Sequence, residues 1–341
     1  MGSREPAPTP TPTPTSSAAV GTATVRIFED NSVVRRLANA LVLARWPTTS
    51  TVEQRKRPQI PYMPDTERGK ISSLEKDATA DATHILGDDL DPARALARRV
   101  LLGSLAAISR TFMYAFNTTE VHNWKGLHDA LAEHADTGRG IVTVCNHVAS
   151  LDDPLVVAAS MPLRYVFDAR GLRYTMCATD RCFSKGATLS EFFRLVKVLP
   201  VERGLGLSQP GMVAAENALQ RGDWVHVFPE GTRSRDGSIA PARRGAAKLA
   251  LARSEDGTLP LVVPFAHVGM EGVIGIGNVL PRGGNVVVVV VGDPIDMSCC
   301  TKNCTNEEAQ QRATQRISDA LLQLHNVARK RHDELSGRNA V

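Results

Sequence analysis

A chain of 341 residues has room for one large domain or two modest ones around a real hydrophobic core. Its formal net charge of +4 is too small to argue for nucleic acid. Arginines instead gather near 94–99 and 233–244, local patches that suit phosphate-bearing partners such as anionic lipid headgroups. The six cysteines have the spacing of neither a disulfide framework nor a zinc site, so a reducing compartment is expected.

The chain opens on PAPTPTPTPTSSAAV (6–20), a low-complexity Pro/Thr stretch that makes residues 1–24 an expected disordered N-terminus. Residues 25–97 read as a partly helical extension of mixed charge, with RRLANALVLARW (35–46) as one amphipathic helix. Glu5, Glu29 and Asp30 make a poor transit peptide, and Pro6 stands where N-myristoylation wants Ser or Thr. No run of 18 apolar residues predicts a membrane-spanning helix. The nearest is RRVLLGSLAAISRTFMYAF (98–116), flanked by Arg98 and Arg99 and interrupted by Arg110. It reads either as a helix in the membrane interface, its arginines reaching headgroups and Leu101, Leu102 and Leu105 facing lipid, or as a core helix.

From residue 120 onward the pattern becomes regular. GIVTVC (140–145), YTMCAT (174–179), KVLPV (197–201), WVHVF (224–228), LPLVVPFA (259–266) and NVVVVVV (285–291) are short, β-branched and nearly continuous, as strands buried on both faces are. Between them lie the helical stretches DPLVVAASM, TLSEFFRL, PGMVAAENALQRG and RRGAAKLALARS, and the alternation predicts a layered α/β domain over 98–300. The tail, 301–341, opens on a capping box at Thr305 and Glu308, with Ile317, Leu321, Leu324 and Ala328 on one helical face.

Two connections carry chemistry. In TVCNHVASLDDP (143–154) a buried strand stops on His147, and Asp152 five residues later can fold back onto the ring. A histidine held in this way takes a proton near neutral pH, while a plain turn or helix cap explains the aspartate equally well. Asp153 is expected to cap the helix that Pro154 starts. In HVFPEGTRSRDG (226–237) a second strand ends on backbone N–H groups, a hydroxyl and guanidinium groups, an apt receptor for phosphate. VLPVERG (198–204) ends a third strand with Arg203.

NHVASLD resembles the Asn-His-x4-Asp motif of the glycerolipid acyltransferases, and FPEGTRSR their Phe-Pro-Glu-Gly-Thr-Arg motif. VPF at 263–265 resembles their fourth block, and order and spacing also agree. VHNWKGL, FSKGATLSEFF, VLPVERG, GDWVHVFPEG and PFAHVGM are similar to the tafazzin branch of that superfamily over about residues 110–300. Val196 stands where many of these enzymes have glycine, so only Arg203 carries over from the second block.

The resemblance implies that His147 is a general base oriented by Asp152, and that Asn146 positions the turn or an oxyanion donor. It further implies that Glu230, Gly231, Thr232 and Arg233, joined by Arg203, bind the glycerophosphate. The implied reaction is acyl transfer between phospholipids and lysophospholipids, as in cardiolipin remodelling, with no metal and no cofactor beyond the lipid donor. Alternatives are an acyl-CoA-dependent lysophospholipid (1-acylglycerol-3-phosphate) acyltransferase, an N-acylphosphatidylethanolamine synthase, or a silent lipid-binding protein. Expected partners are membrane lipids through peripheral or monotopic attachment, with no nucleic acid and homo-oligomerisation left open. The implied location is a mitochondrial membrane facing the intermembrane space, the endoplasmic reticulum being the alternative.

Overall fold

A computed structural model describes residues 85–338, except 88, 89, 167–170, 276, 277 and 279. The expected disordered stretch 1–24, the 35–46 helix and most of the 25–97 extension lie outside the described residues.

Seven strands form one sheet: β1 (Thr118–His122), β2 (Ile141–Cys145), β3 (Tyr174–Ala178), β4 (Val198–Val201), β5 (Trp224–Val227), β6 (Leu261–Val268) and β7 (Val286–Val291). Their order is β1-β7-β6-β2-β5-β3-β4. All neighbours run parallel except β6 and β7. The central strands are buried along their whole length because helices cover both faces. On β2 the faces alternate: Ile141 and Cys145 join one core, Val142 and Val144 the other.

The first core packs under α1 (Pro92–Ala115), α2 (Trp124–Thr137) and α3 (Asp152–Ser160). Beyond β3 a short helix, α4 (Ala187–Leu195), leads into β4. The second core packs under α5 (Pro210–Gln220), α6 (Arg244–Ala250) and α7 (Asn306–Arg338). The capping box that starts α7 forms as its residues dictate: Glu308 accepts from the Thr305 N–H at 2.8 Å, and the Thr305 hydroxyl accepts from the Glu308 N–H at 3.3 Å. Ile317, Leu321 and Ala328 are buried beneath it.

Helix α1 starts where Asp91 caps the Arg94 N–H at 2.9 Å and Pro92 fixes the first turn. Its buried stripe, Leu102, Ala106, Ser109 and Met113, meets the first core. Leu96, Val100 and Ile108 lie on the opposite side, 61%, 59% and 67% exposed. This corrects the lipid-facing assignment: Leu102 is a core residue, and Leu101 and Leu105 pack partly against that core. Nor do Arg98 and Arg110 reach outward. Arg110 donates to the carbonyls of Ala158, Ala159 and Met161 at 2.9–3.0 Å, satisfying the free carbonyls at the end of α3. Arg98 donates to the Leu86 and Arg194 carbonyls, both at 3.1 Å. Among the described residues no helix is long and apolar enough to cross a membrane.

A second correction concerns the cysteines. Cys177 and Cys182 are joined by a disulfide, because a single helical turn after β3 folds back and brings their Cα atoms to 6.3 Å. The expectation of a purely reduced set therefore fails at this pair, while Cys145, Cys299, Cys300 and Cys304 are free thiols.

Candidate active site

Parallel pairing of β2 with β5 sends both motif-bearing connections out at the same sheet edge. β2 delivers Asn146 and His147, and β5 delivers Phe228, Pro229 and Glu230.

Asp152 sits at the start of α3 with its side chain fully buried. Its Oδ2 accepts three N–H groups, from His147 Nδ1 at 2.9 Å, Val148 N at 2.7 Å and Ala149 N at 2.9 Å. Burial pushes this carboxyl up, but the His267 ring, the bond from His147 and the backbone donors outweigh it and hold it below the usual carboxylate range. An ionised acceptor at Nδ1 requires that nitrogen to carry the proton of a neutral ring, leaving Nε2 as a bare lone pair. The His147 side chain is 19% exposed, and its ring lies over Phe228 with centroids 4.0 Å apart and planes 19° from parallel. Nε2 has no hydrogen-bond partner among the described residues.

The backbone of His147 is fastened by the second motif. Its N–H donates to Glu230 Oε1 at 3.0 Å and its carbonyl accepts from Ser234 N at 2.7 Å. The other Glu230 oxygen accepts from Ala240 N at 2.9 Å. Burial raises the Glu230 carboxyl despite those bonds. Glu230 was expected among the substrate-binding residues, but both its oxygens are spent on the backbone, so it splices two connections together. Asn146 is also turned inward. Its amide donates to the His267 carbonyl at 3.0 Å and accepts from His267 N at 2.9 Å, continuing the β2–β6 ladder with a side chain.

Gly231, which is exposed, and the half-buried Thr232 and Arg233 follow Glu230 in the same turn. Gly231 has φ +65°, a left-handed conformation that favours glycine, and a Cβ there would lie 3.0 Å from Arg243 Cδ. Backbone conformation and the Arg243 side chain therefore explain this glycine. Arg203 follows β4, which lies three places from β2 in the sheet. Its guanidinium contacts Asp180 at 3.1 and 3.2 Å. Asp153 does not cap α3 either; its carboxylate forms a buried ion pair with Arg173.

Four further groups at this edge were given no role from the sequence: His226, Phe228, Arg243 and His267. His226 is wholly buried, with Nδ1 2.8 Å from Thr143 Oγ1 and Nε2 3.6 Å from Cys145 Sγ. Thr143 Oγ1 also accepts from Trp224 Nε1 at 2.9 Å, so the ring, the hydroxyl and the indole form one buried network. Burial, reinforced by Arg173, His147 and His267 against Asp153, takes the His226 ring down to about 4. Arg243 leans on Gly231 and has no ion pair among the described residues. Among the described residues no group of His, Cys, Asp or Glu is set to hold a metal ion.

An α/β sandwich with a carboxylate-backed histidine and a basic turn on one sheet edge has the layout of an acyl-transfer enzyme. The family model Acyltransferase matches residues 126–268, which contain both motifs. The chain belongs to the acyltransferase family, and within the glycerolipid acyltransferases it groups with tafazzin. It is 33% identical over 208 residues to the N-acylphosphatidylethanolamine synthase of Arabidopsis thaliana, covering 58% of this chain and 70% of that protein. It is 31% identical over 194 residues to the Dictyostelium discoideum protein named Taffazin, covering 56% and 67%. With Drosophila melanogaster tafazzin the identity is 27% over 242 residues, covering 69% and 62%. A crystal structure of the 1-acyl-sn-glycerophosphate (LPA) acyltransferase PlsC from Thermotoga maritima aligns with a TM-score of 0.45 at 18% identity, covering 74% of this chain and 98% of that one.

Proposed function

We propose that the protein is a transacylase of the tafazzin type, moving acyl chains between phospholipids and lysophospholipids, with cardiolipin remodelling as its setting. The carrying observation is the His147 Nδ1–Asp152 bond at 2.9 Å, with Nε2 left as a lone pair on a partly exposed ring. Nε2 takes the proton of the lysophospholipid hydroxyl as that oxygen attacks the donor ester carbonyl. The imidazolium, stabilised by Asp152, then returns the proton to the departing glycerol oxygen of the donor. The acyl group passes directly between the two lipids, and the donor leaves as a lysophospholipid. A positioned base of this kind contributes about 10²–10⁴ in rate.

Gly231, Thr232 and Arg233 form the headgroup-facing turn beside the base, with Arg243 leaning on it. The exposed stripe of α1, Leu96, Val100 and Ile108, offers the apolar face for peripheral or monotopic membrane attachment. No metal and no cofactor beyond the donor lipid enters the reaction, so chelators should leave the rate unchanged. The proposed location is a mitochondrial membrane facing the intermembrane space. Protease protection in isolated mitochondria tests this, and recovery in endoplasmic reticulum membranes would refute it.

A second reading is favoured by the 33% identity to N-acylphosphatidylethanolamine synthase: an amine acceptor in place of the hydroxyl. The deciding assay supplies vesicles of labelled phosphatidylcholine with lysocardiolipin, with phosphatidylethanolamine, or with acyl-CoA as sole donor. Exchange into lysocardiolipin without coenzyme A is expected, falling about 10²–10⁴-fold in His147→Ala. A folded His147→Ala protein with undiminished exchange removes the base assignment, and activity only with acyl-CoA removes the transacylase.

A further inference from the structure

His267 lies at the end of β6, next to β2 in the sheet, with its side chain completely buried. Three hydrogen bonds join it to Asn146, the residue before His147. Asn146 Oδ1 accepts from His267 N at 2.9 Å, the Asn146 amide donates to the His267 carbonyl at 3.0 Å, and His267 Nε2 lies 3.0 Å from the Asn146 carbonyl. A carbonyl can only accept, so Nε2 carries a proton. The same Nε2 is 3.7 Å from Asp152 Oδ2, the oxygen that holds His147. The carboxylate thus has two imidazoles beside it: His147 is bonded to it and partly exposed, while His267 is turned to the backbone and sealed from water.

We propose that His267 is a positioning residue for acyl transfer, acting through Asp152 and the Asn146 peptide to keep the base aligned. This rests on the reading of His147 as the base. Two physical effects carry it. The Nε2–H bond fixes the Asn146 peptide, so the chain entering His147 cannot swing away from Asp152. The polarised N–H edge at 3.7 Å also offsets the cost of a buried anion whose second oxygen, Oδ1, has no partner. Among the influences that pull Asp152 back down against burial, that of His267 is the largest.

The test compares His267→Gln, whose side-chain N–H can reach the Asn146 carbonyl, with His267→Leu, which fills similar space without a donor. Vesicle exchange is measured with each variant alone and combined with Asp152→Asn, alongside His147→Ala and far-UV circular dichroism. The expected result is a loss of about 10²-fold in kcat for His267→Leu at unchanged KM, the scale of a small misplacement of catalytic groups. His267→Gln should stay within about threefold of wild type. In the Asp152→Asn background His267→Leu should cost almost nothing more, because coupled residues are non-additive. The proposal is overturned if folded His267→Leu keeps its kcat, if KM alone changes, if its loss is undiminished beside Asp152→Asn, or if both His267 variants are unfolded. Activity retained in His147→Ala overturns the base reading instead; an inactive His147→Ala with active His267 variants overturns only this inference.

Discussion

Acid should weaken this fold through one buried ring. In an unfolded chain His226 titrates near 6.5, whereas in the folded protein burial holds it at about 4. Between those values the unfolded chain binds a proton that the folded one refuses, so stability rises with pH across that window. The contribution is fully present above about 6.5, is lost as pH falls toward about 4, and changes no further below that. At about 1.36 kcal/mol for each tenfold in proton affinity, the displacement amounts to roughly 3 kcal/mol. That is a large fraction of the 5–15 kcal/mol typical of a folded domain. The structural reason is specific. Nδ1 meets only the neutral Thr143 hydroxyl at 2.8 Å, which is already shared with Trp224 Nε1, so no anionic acceptor among the described residues bonds to the ring to hold a proton there. Nε2 meets only the weak acceptor Cys145 Sγ at 3.6 Å, and the ring lies against Phe265 and Phe228. Of the titratable groups that act on it, Asp153 favours the charged ring and Arg173, His147 and His267 oppose it. The assay is urea unfolding from pH 7 to pH 4, comparing wild type with His226→Asn, whose side-chain amide can still bond to Thr143. The variant starts less stable, having lost the ring, but its deficit should shrink by roughly 3 kcal/mol toward pH 4. His128 and His325, also lowered chiefly by burial, contribute equally to both proteins and cancel. A deficit that stays constant with pH refutes the reasoning.

Changing Leu96, Val100 and Ile108 to Ser should release the protein from anionic vesicles in a flotation assay without lowering its melting temperature. Leu102→Ala should instead cost about 2–5 kcal/mol of stability by opening the first core, and equal melting of the two variants would contradict the assignment of faces. Arg243→Ala should raise KM for lysophospholipid about tenfold, the loss of one charge-assisted contact, and Arg243→Lys should recover part of it. Arg203→Ala should change KM less than twofold, because its guanidinium is already engaged by Asp180; the reverse ranking would make Arg203 a lipid contact.

The central strands were legible because residues buried on both faces must be apolar throughout, and runs such as those of β2 and β7 allow little else. β1, Thr-Thr-Glu-Val-His, was not, because an edge strand is only half buried and its Glu120 faces Arg331 at 2.8 Å. α2 did carry a helical signal in Leu127, Ala130 and Leu131, all buried, but its polar residues diluted it. The arginines of α1 could not be placed from sequence. Whether a guanidinium reaches a headgroup or the end of another helix depends on which helix packs against it, and α3 ends beside Arg110. Extension of β6 to Val268, two residues beyond the expected strand, is what brings His267 level with Asn146.

The same distinction runs through the site. His147 and Asp152 are five positions apart, so a short pattern reports their contact. The groups that hold them come from elements far apart in the chain: Glu230 and Ser234 after β5, His267 at the end of β6. Each spends a hydrogen bond on His147 or on the residue before it. The His147 N–H, carbonyl and Nδ1 are thereby all committed, and Nε2 is the one polar atom of the residue left without a partner among the described residues. In the proposed reaction, a base aligned in this way before substrate arrives would avoid reorganisation, which is how such geometry lowers a barrier. The motif Glu-Gly-Thr-Arg then has two separable tasks on one turn. Its carboxylate faces inward and splices the strand ends, while the exposed glycine and the half-buried Thr232 and Arg233 after it form the turn proposed to meet the headgroup.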